Sequence, residues 1–374
     1  MTLISNDYFP DLVRPKLSVE KFFLYRPQQE WTYSHHASIT FFQGSFYAIW
    51  SNGHEHEDYP EQRVLIATSS DFSHWSEPRP LVGPLDGKHS QLILTAAGFH
   101  QHAGLLVAYF GQYEYTPQGL KNGIRMAHDH QDSSLWAMTS RDGLLWSQPI
   151  DMHAPLVPNH GPQPTHSGRL VISGNIAFPY SADPAGLSGW KMSGVYPADM
   201  QADIFDDSQA FWTVQTLMGW PAGLCEGSFF QTDDGVLHML LRTTGTGYAG
   251  KLWQTESQDD GTTWQPPIES DFTDNDTKFH FGRLPDGRFY YVGSPDPNSR
   301  GTRNPLVLSL SIDGIHFNRH FILADEPYEM QHSGMHKGGT YGYPHTMVHA
   351  GYLYAIFSLR KEAIAVLRVS LYEL

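Results

Sequence analysis

Six times along this 374-residue chain, apolar residues lead into a short polar turn ending in glycine, and an aromatic or aliphatic strand follows. The six segments are FFQGSFYAIW at Gly44, HQHAGLLVAYF at Gly104, THSGRLVISG at Gly168, QTDDGVLHMLL at Gly235, LPDGRFYYVG at Gly287 and VHAGYLYAIF at Gly351. They recur about 60 residues apart, and self-similarity at a fixed period is the mark of a repeat architecture. Each unit reads as strand, glycine turn, strand, longer loop and a second strand pair. Repeated radially, such a unit is a propeller blade. The predicted fold is therefore all-β: a single β-propeller over residues 1–374, with six four-stranded blades centred on these glycines. A strand from about the first 30 residues should close the ring against the last blade, whose final strands lie in SLRKEAIAVLRVSLYEL.

Composition agrees with many short strands. Glycine (34) and proline (25) supply the turns, and no long amphipathic helical pattern competes with them. The net charge of -15 argues against nucleic acid or an anionic membrane as a partner. An acidic substrate would need a local arginine cluster to overcome that background. One cysteine, Cys225, excludes an intrachain disulfide framework. The first residues lack the apolar core of a signal peptide and no apolar run is long enough to span a bilayer, so a cytoplasmic location is the expectation.

A second pattern recurs between the glycine turns. Ser69, Asp71 and Trp75; Ser140, Asp142 and Trp146; Ser257, Asp259 and Trp264; and Ser311, Asp313 and Phe317 share one order, with an aspartate two residues after a serine and an aromatic closing the segment. Aspartate in such a position accepts hydrogen bonds from turn amides, and the aromatic packs between strands. These aspartates are read as structural rather than catalytic.

The glycines also act as a ruler. In a propeller the innermost strand of each blade runs from one mouth of the central channel to the turn at the other end. Residues eight or nine before each glycine should ring that mouth: His35 and His36, Asn159 and His160, Glu226, Lys278 and Tyr343, with His89 to Gln91 as the nearest equivalents in blade two. The following strand climbs back and ends at Asn52, Tyr113, Asn175 and Arg242, and the loops beyond carry Arg63, Arg303 and Lys361. Core strands would carry Val, Ile or Leu here. A ring of groups able to donate, accept or move a proton is instead a candidate site. Tyr59, Tyr113, Tyr115 and Trp190 are the aromatics placed to stack on a ligand, Trp190 from a third-blade loop that would cover the site.

The C-terminal half, from about residue 220 onward, resembles the sialidases. Glu226-Gly-Ser-Phe-Phe, the Gly235 turn and Leu-Leu-Arg242 are similar to the family's glutamate, turn, strand and arginine; the segment 257–264 is similar to its Asp box; Arg303-Asn-Pro-Leu-Val-Leu and Gly342-Tyr343-Pro-His resemble the segments carrying a further substrate arginine and the tyrosine nucleophile. The resemblance implies Tyr343 as nucleophile, Glu226 as its general base, and Arg242 and Arg303 gripping a carboxylate. It departs on the first inner strand. Where sialidases place an Arg-Ile-Pro motif, this chain reads Tyr33-Ser-His35-His36-Ala-Ser-Ile39. Glu55, Glu57 and Asp58 occupy the loop from which the general acid would come.

Three functions follow as expectations. The first is a glycoside hydrolase acting on an acidic oligo- or polysaccharide, a uronate or sialic-acid-like sugar, with catalytic Tyr343 and Glu226 and with Arg242, Arg303, Arg63, Asn52, Lys278 and Tyr113 binding substrate. The second is a polysaccharide lyase in the manner of the ulvan lyases, with His35, His36, His160 or Tyr343 moving protons and an arginine neutralising the uronate. The third is a non-catalytic sugar-binding propeller. No cofactor is expected. His54 with His56, His100 with His102 and His128 with His130 alternate as metal pairs do, but spacing supplies no third and fourth ligand, so no metal is assigned.

Overall fold

The computed structural model describes residues 1–127, 129–197, 215–221 and 223–374. Strands dominate it, and they group as the glycine ruler predicts. Blade one comprises Tyr33–Phe42, Ser45–Gly53, Arg63–Ser69 and Arg79–Val82. Blade two comprises Ile93–His102, Leu105–Tyr115, His130–Ser140 and Ile150–Asp151. Blade four runs through Cys225–Gln231, Leu237–Arg242, Lys251–Ser257 and Ile268–Thr273, and blade five through His280–Arg283, Phe289–Gly293, Leu306–Ser311 and Arg319–Ala324. Blade six has Tyr341–His349, Tyr352–Leu359 and Ala363–Ser370, and its fourth strand is Glu20–Tyr25 from the other end of the chain. The third unit differs from expectation. It shows three short strands, Gln163–Pro164, Leu170–Val171 and Tyr180–Ser181, extended only by bridges from Ala177 to Gly194 and Tyr180 to Lys191. The serine–aspartate pattern is stretched here rather than lost: Ser181 and Asp183 form the turn, with Asp183 accepting from the amides of Ala185 and Leu187, and the closing aromatic is Trp190.

The ring closes through six apolar seams, each between successive blades. Ile49 and Leu94 belong to the first seam, Val107 and Ile172 to the second, Phe178 and Met239 to the third. Leu240 and Tyr291, then Leu308 and Leu353, continue the series, and Ile356 with Trp50 joins blade six to blade one. Each fully buried aliphatic or aromatic side chain stabilises the ring by about 1.5–3 kcal/mol. The N-terminal segment laces the rim: Ser5–Asn6 pairs in parallel with Asp271 and with His316 and Phe317, and Lys16 bridges to Ile322, before Glu20–Tyr25 completes blade six. Outer strand edges of blades four and five are thereby covered. No helix among the described residues is long and apolar enough to cross a membrane.

The turns explain the recurring glycine. All six have φ between 72° and 94°. At Gln43-Gly44, Ala103-Gly104 and Ala350-Gly351 both residues have positive φ, the turn whose twist matches a hairpin. At Gly168, Gly235 and Gly287 only the glycine does, and its amide bonds back to Thr165, Thr232 and Leu284. A side chain at Gly351 would meet nothing within 4 Å, so the requirement is conformational and not steric. The serine–aspartate segments are turns as well. Asp71 accepts from the amides of Ser73 and His74, Asp142 from Leu144 and Leu145, and Asp313 from Ile315 and His316, all at 2.8–2.9 Å.

Gly351→Ala should destabilise the protein by about 1–2 kcal/mol, the cost of a left-handed non-glycine residue. Gly338→Ala, in open space and without a positive φ, should stay within about 0.5 kcal/mol. Urea unfolding of the two variants against the parent measures the difference.

Candidate active site

The inner strands of blades one, four and six each slip register once, between His35 and Ser38, Cys225 and Ser228, and Gly342 and His345. The residue within each slip is left-handed: His36 (φ 53°), Glu226 (49°) and Tyr343 (52°). Such a bulge turns one side chain out of the strand's alternation and re-aims it, here toward the channel mouth. Non-glycine residues held there store of order 1–3 kcal/mol each, and such strain concentrates at functional sites. Blade two slips between Ala96 and Gly98, but the residue within is Ala97, without a positive φ, and the next is Gly98 (φ 157°), where a Cβ would strike the Gly161 backbone at 2.7 Å. Blade two thus offers only the small Ala97 at its slip. His89 and Ser90 instead donate their amides to the Glu114 carboxylate.

Three of the re-aimed or adjacent groups meet. Tyr343 donates its hydroxyl to Glu226 Oε1 at 2.6 Å; Arg242 donates from Nε to Glu226 Oε2 at 2.5 Å and from Nη2 to Tyr343 Oη at 3.0 Å. The remaining arm of Arg242 is bound by Asp276, which is bound in turn by Arg300 at 3.0 Å. Cations enclose the Tyr343 ring: Lys278 Nζ lies 5.1 Å from its centroid, Arg303 5.2 Å, Lys361 5.7 Å and Arg242 5.8 Å. The His35 ring packs on it at 4.0 Å and His36 at 5.4 Å.

The electrostatics follow from this packing. Burial pushes the Glu226 carboxyl up, but Arg242, the Tyr343 hydrogen bond and Lys278 outweigh it and hold it down at about 2. Burial drives the Tyr343 phenol well above its ordinary value, so it stays protonated and donates. Lys278, buried and beside Arg242, is brought down to about 8 although Glu226 opposes the shift; its ammonium is capped by the Asn159 carbonyl. His36 falls to about 3 through burial and Lys278, which leaves a neutral imidazole. Arg303 is buried, yet its Nε and Nη1 have no hydrogen-bond partner among the described residues. A buried guanidinium left so has two donors that an anion could accept from.

Other predicted residues are placed differently. His160 sits deeper in the channel, bonded through Nε2 to the Phe279 carbonyl and packed at 4.8 Å against His280, which packs at 4.7 Å against His345. Asn52 is fully buried and spends its amide on Tyr33 O and Ser34 Oγ; its carbonyl takes Arg63 Nε at 2.9 Å, and the Arg63 guanidinium lies 3.4 Å over Trp31. Both fasten blade one. Tyr113 is buried beside Asp58, which raises its phenol further after burial does. Trp190 packs in the seam between blades two and three, bonded to Gly186 next to Leu170 and Tyr109, at the turn end of the channel and away from the site. His128 lies outside the described residues. Asp276 and Arg300 escaped the ruler because the inner strand of blade five begins only at His280, so its loop reaches the mouth from farther back. Asp276 itself is left-handed (φ 55°), a conformation aspartate tolerates and sequence does not flag.

Comparison with known proteins bears on the fold. The sequence profile of the BNR repeat-like domain matches residues 44–355. Among solved structures, one described as a sialidase superposes with TM-score 0.65 at 18% identity, covering 98% of this chain and 35% of the other. Trypanosoma rangeli sialidase with 2,3-difluorosialic acid, a covalent intermediate, gives TM-score 0.63 at 13% identity, covering 94% of this chain and 59% of the other. A Dyadobacter fermentans protein of unknown function gives 0.60 at 15%, covering 94% and 99%. The chain thus spans about a third and three fifths of the two sialidases. At these identities the likeness is one of fold. No curated protein matches the chain.

The Glu226 carboxyl is lower in the folded than in the unfolded state, so its contribution to stability is complete above the ordinary carboxylate range and is lost as pH falls toward about 2. Glu226→Gln should therefore destabilise the protein at neutral pH, and the difference from the parent should shrink as pH falls from about 4.3 to 2. Denaturant unfolding across that range checks the sign.

Proposed function

Since the chain belongs to the BNR repeat-like domain family, we propose that it is a sialidase-like glycoside hydrolase that cleaves the glycosidic bond of an acidic sugar, a uronate or sialic-acid-like unit. The observation that carries this reading is the 2.6 Å hydrogen bond from Tyr343 to Glu226, with Arg242 on both. That the T. rangeli sialidase was captured as a covalent intermediate supports a covalent route for a chain of the same fold.

In the resting site Glu226 is too weak a base to take the phenol proton, because Arg242 holds it near 2. A substrate carboxylate settles on the unpartnered Arg303 nitrogens and competes for Arg242. Loosening that ion pair raises the basicity of Glu226. Glu226 then accepts the Tyr343 proton as Oη attacks the anomeric carbon, and the glycosidic oxygen leaves with a proton from Asp58, on the loop beside Tyr113. Water attacks the glycosyl-tyrosine, Asp58 takes a proton from it, and Glu226 returns its proton to the departing phenolate. Four cations around the ring stabilise that phenolate. A neutral nucleophile suits an anionic substrate, which would repel a carboxylate.

A second reading rests on His35 and His36, neutral imidazoles packed against Tyr343: elimination across a uronate, with a histidine removing the C5 proton. The two separate on product chemistry, since only elimination creates the ultraviolet-absorbing unsaturated uronate.

Tyr343→Phe should lower kcat on the acidic glycoside by about 10³-fold or more while ligand binding stays within a few-fold. A fluorinated acidic glycosyl donor should label the parent at Tyr343, seen by peptide mass spectrometry. Unsaturated product without labelling favours elimination; binding with no turnover in the parent leaves a sugar-binding propeller. Affinity for the acidic ligand should weaken as pH rises through about 8, where Lys278 loses its charge, and Lys278→Met should abolish that step.

A further inference from the structure

We propose that His35, His36 and Glu57 form a zinc site on the rim of the channel mouth, one that the hydrolytic chemistry does not require. One ligand atom from each lies within 4.8 Å of the other two. Two neutral imidazoles and a carboxylate are a donor set that zinc favours, and three protein ligands leave a fourth position open. Bonds of about 2.1 Å require these atoms to draw in by roughly 1 Å. The half-exposed His36 ring, set on its bulge, supplies that movement.

The hydrogen bonds around His35 argue that its second nitrogen is a ligand. Ser358 Oγ lies 2.7 Å from His35 Nδ1 and 3.3 Å from the Gly342 carbonyl, to which it can donate, so it can accept a ring proton carried on Nδ1. His35 Nε2 is then a bare lone pair. It is fully buried and has no hydrogen-bond partner among the described residues. It points at Glu57 Oε1 from 3.8 Å, too long for a hydrogen bond and close to the separation of two ligands on one metal ion. A metal ligand histidine is ordinarily fixed by such a contact on its other nitrogen. His36 is anchored through Nδ1, 3.2 Å from Ser51 Oγ, which itself accepts from the Ala96 amide.

Glu57 is prepared for the role as well. Its Oε2 is held by Lys361 at 2.5 Å, which orients the carboxylate and leaves Oε1 with only a long 3.4 Å hydrogen bond from Tyr33. Lys361 is turned onto that far oxygen, while Lys278 and Arg303 also face the imidazoles. The His35 and His36 rings both border Tyr343, so the open position would face the same cleft and take an oxygen of a bound ligand.

Zinc binding is read without turnover, which separates this site from the hydrolytic reading. The full chain, freed of metal, is titrated with Zn²⁺ against a chromophoric chelator, and zinc retained through gel filtration is counted by atomic emission. One ion per chain is expected. His36→Asn, which keeps a residue tolerant of the left-handed backbone, and Glu57→Gln should each weaken binding by about 100-fold or more. His54→Ala and His100→Ala, in the other histidine pairs, should leave it unchanged. Zinc K-edge absorption of the parent should show two imidazoles with oxygen, and it decides the matter if a variant loses its far-ultraviolet circular dichroism. Absence of retained zinc, binding that follows His54 or His100 instead, or a first shell without two imidazoles overturns the proposal.

Discussion

Arg242 is a buried cation near the centre of a ring whose walls are apolar, and much of the mouth is arranged around its charge. Taking a guanidinium out of water costs several kcal/mol unless its donors are met. Here Glu226 comes from its own blade, Asp276 from the loop before blade five, and Tyr343 from blade six. Three successive blades are thereby locked in register at their open ends. The same contacts hold Glu226 ionised and give it a proton donor at 2.6 Å. The interaction that secures the mouth therefore also restrains the carboxylate proposed as its base.

That restraint sits inside a larger asymmetry. The chain carries a net charge of -15, yet four cations surround one phenol ring. Arg242 is saturated, Lys278 is capped by a carbonyl and Lys361 is turned onto Glu57. Arg303 keeps two buried nitrogens without partners. An incoming anion thus meets one strongly unsatisfied group in an otherwise balanced site, and an acidic surface around a cationic mouth confines attraction to that place.

The blades were legible because glycine is required for a backbone reason that survives any change of neighbours. Gly44, Gly104 and Gly351 need positive φ, as do Gly168, Gly235 and Gly287, and six such turns at one period imply the ring. His36, Glu226 and Tyr343 were legible through the same ruler, since each lies eight or nine residues before its turn. Blade two broke the ruler: its bulge falls seven residues before Gly104 and carries Ala97, a side chain with no chemistry to offer. Arg63 and Asn52 stood at the right height but face Trp31 and Tyr33. Height along a strand follows from spacing; direction around the channel depends on neighbouring blades.

By itself the sequence determined the β-propeller, the closing of its last blade by a strand from the N-terminal region, and the height at which polar groups gather. These are consequences of period and turn chemistry, which are local. Only the tertiary structure decided that Glu226, Arg242 and Tyr343 share hydrogen bonds, that Asp276 and Arg300 stand behind them, and that His35 keeps a bare buried nitrogen facing Glu57. The bonds from Arg242 to Asp276 and Tyr343, from Tyr343 to Glu226 and between His35 and Ser358, 323 residues apart, cross from blade to blade. Their geometry is set by the angle at which each blade packs on the next, and no local pattern in the chain encodes that angle.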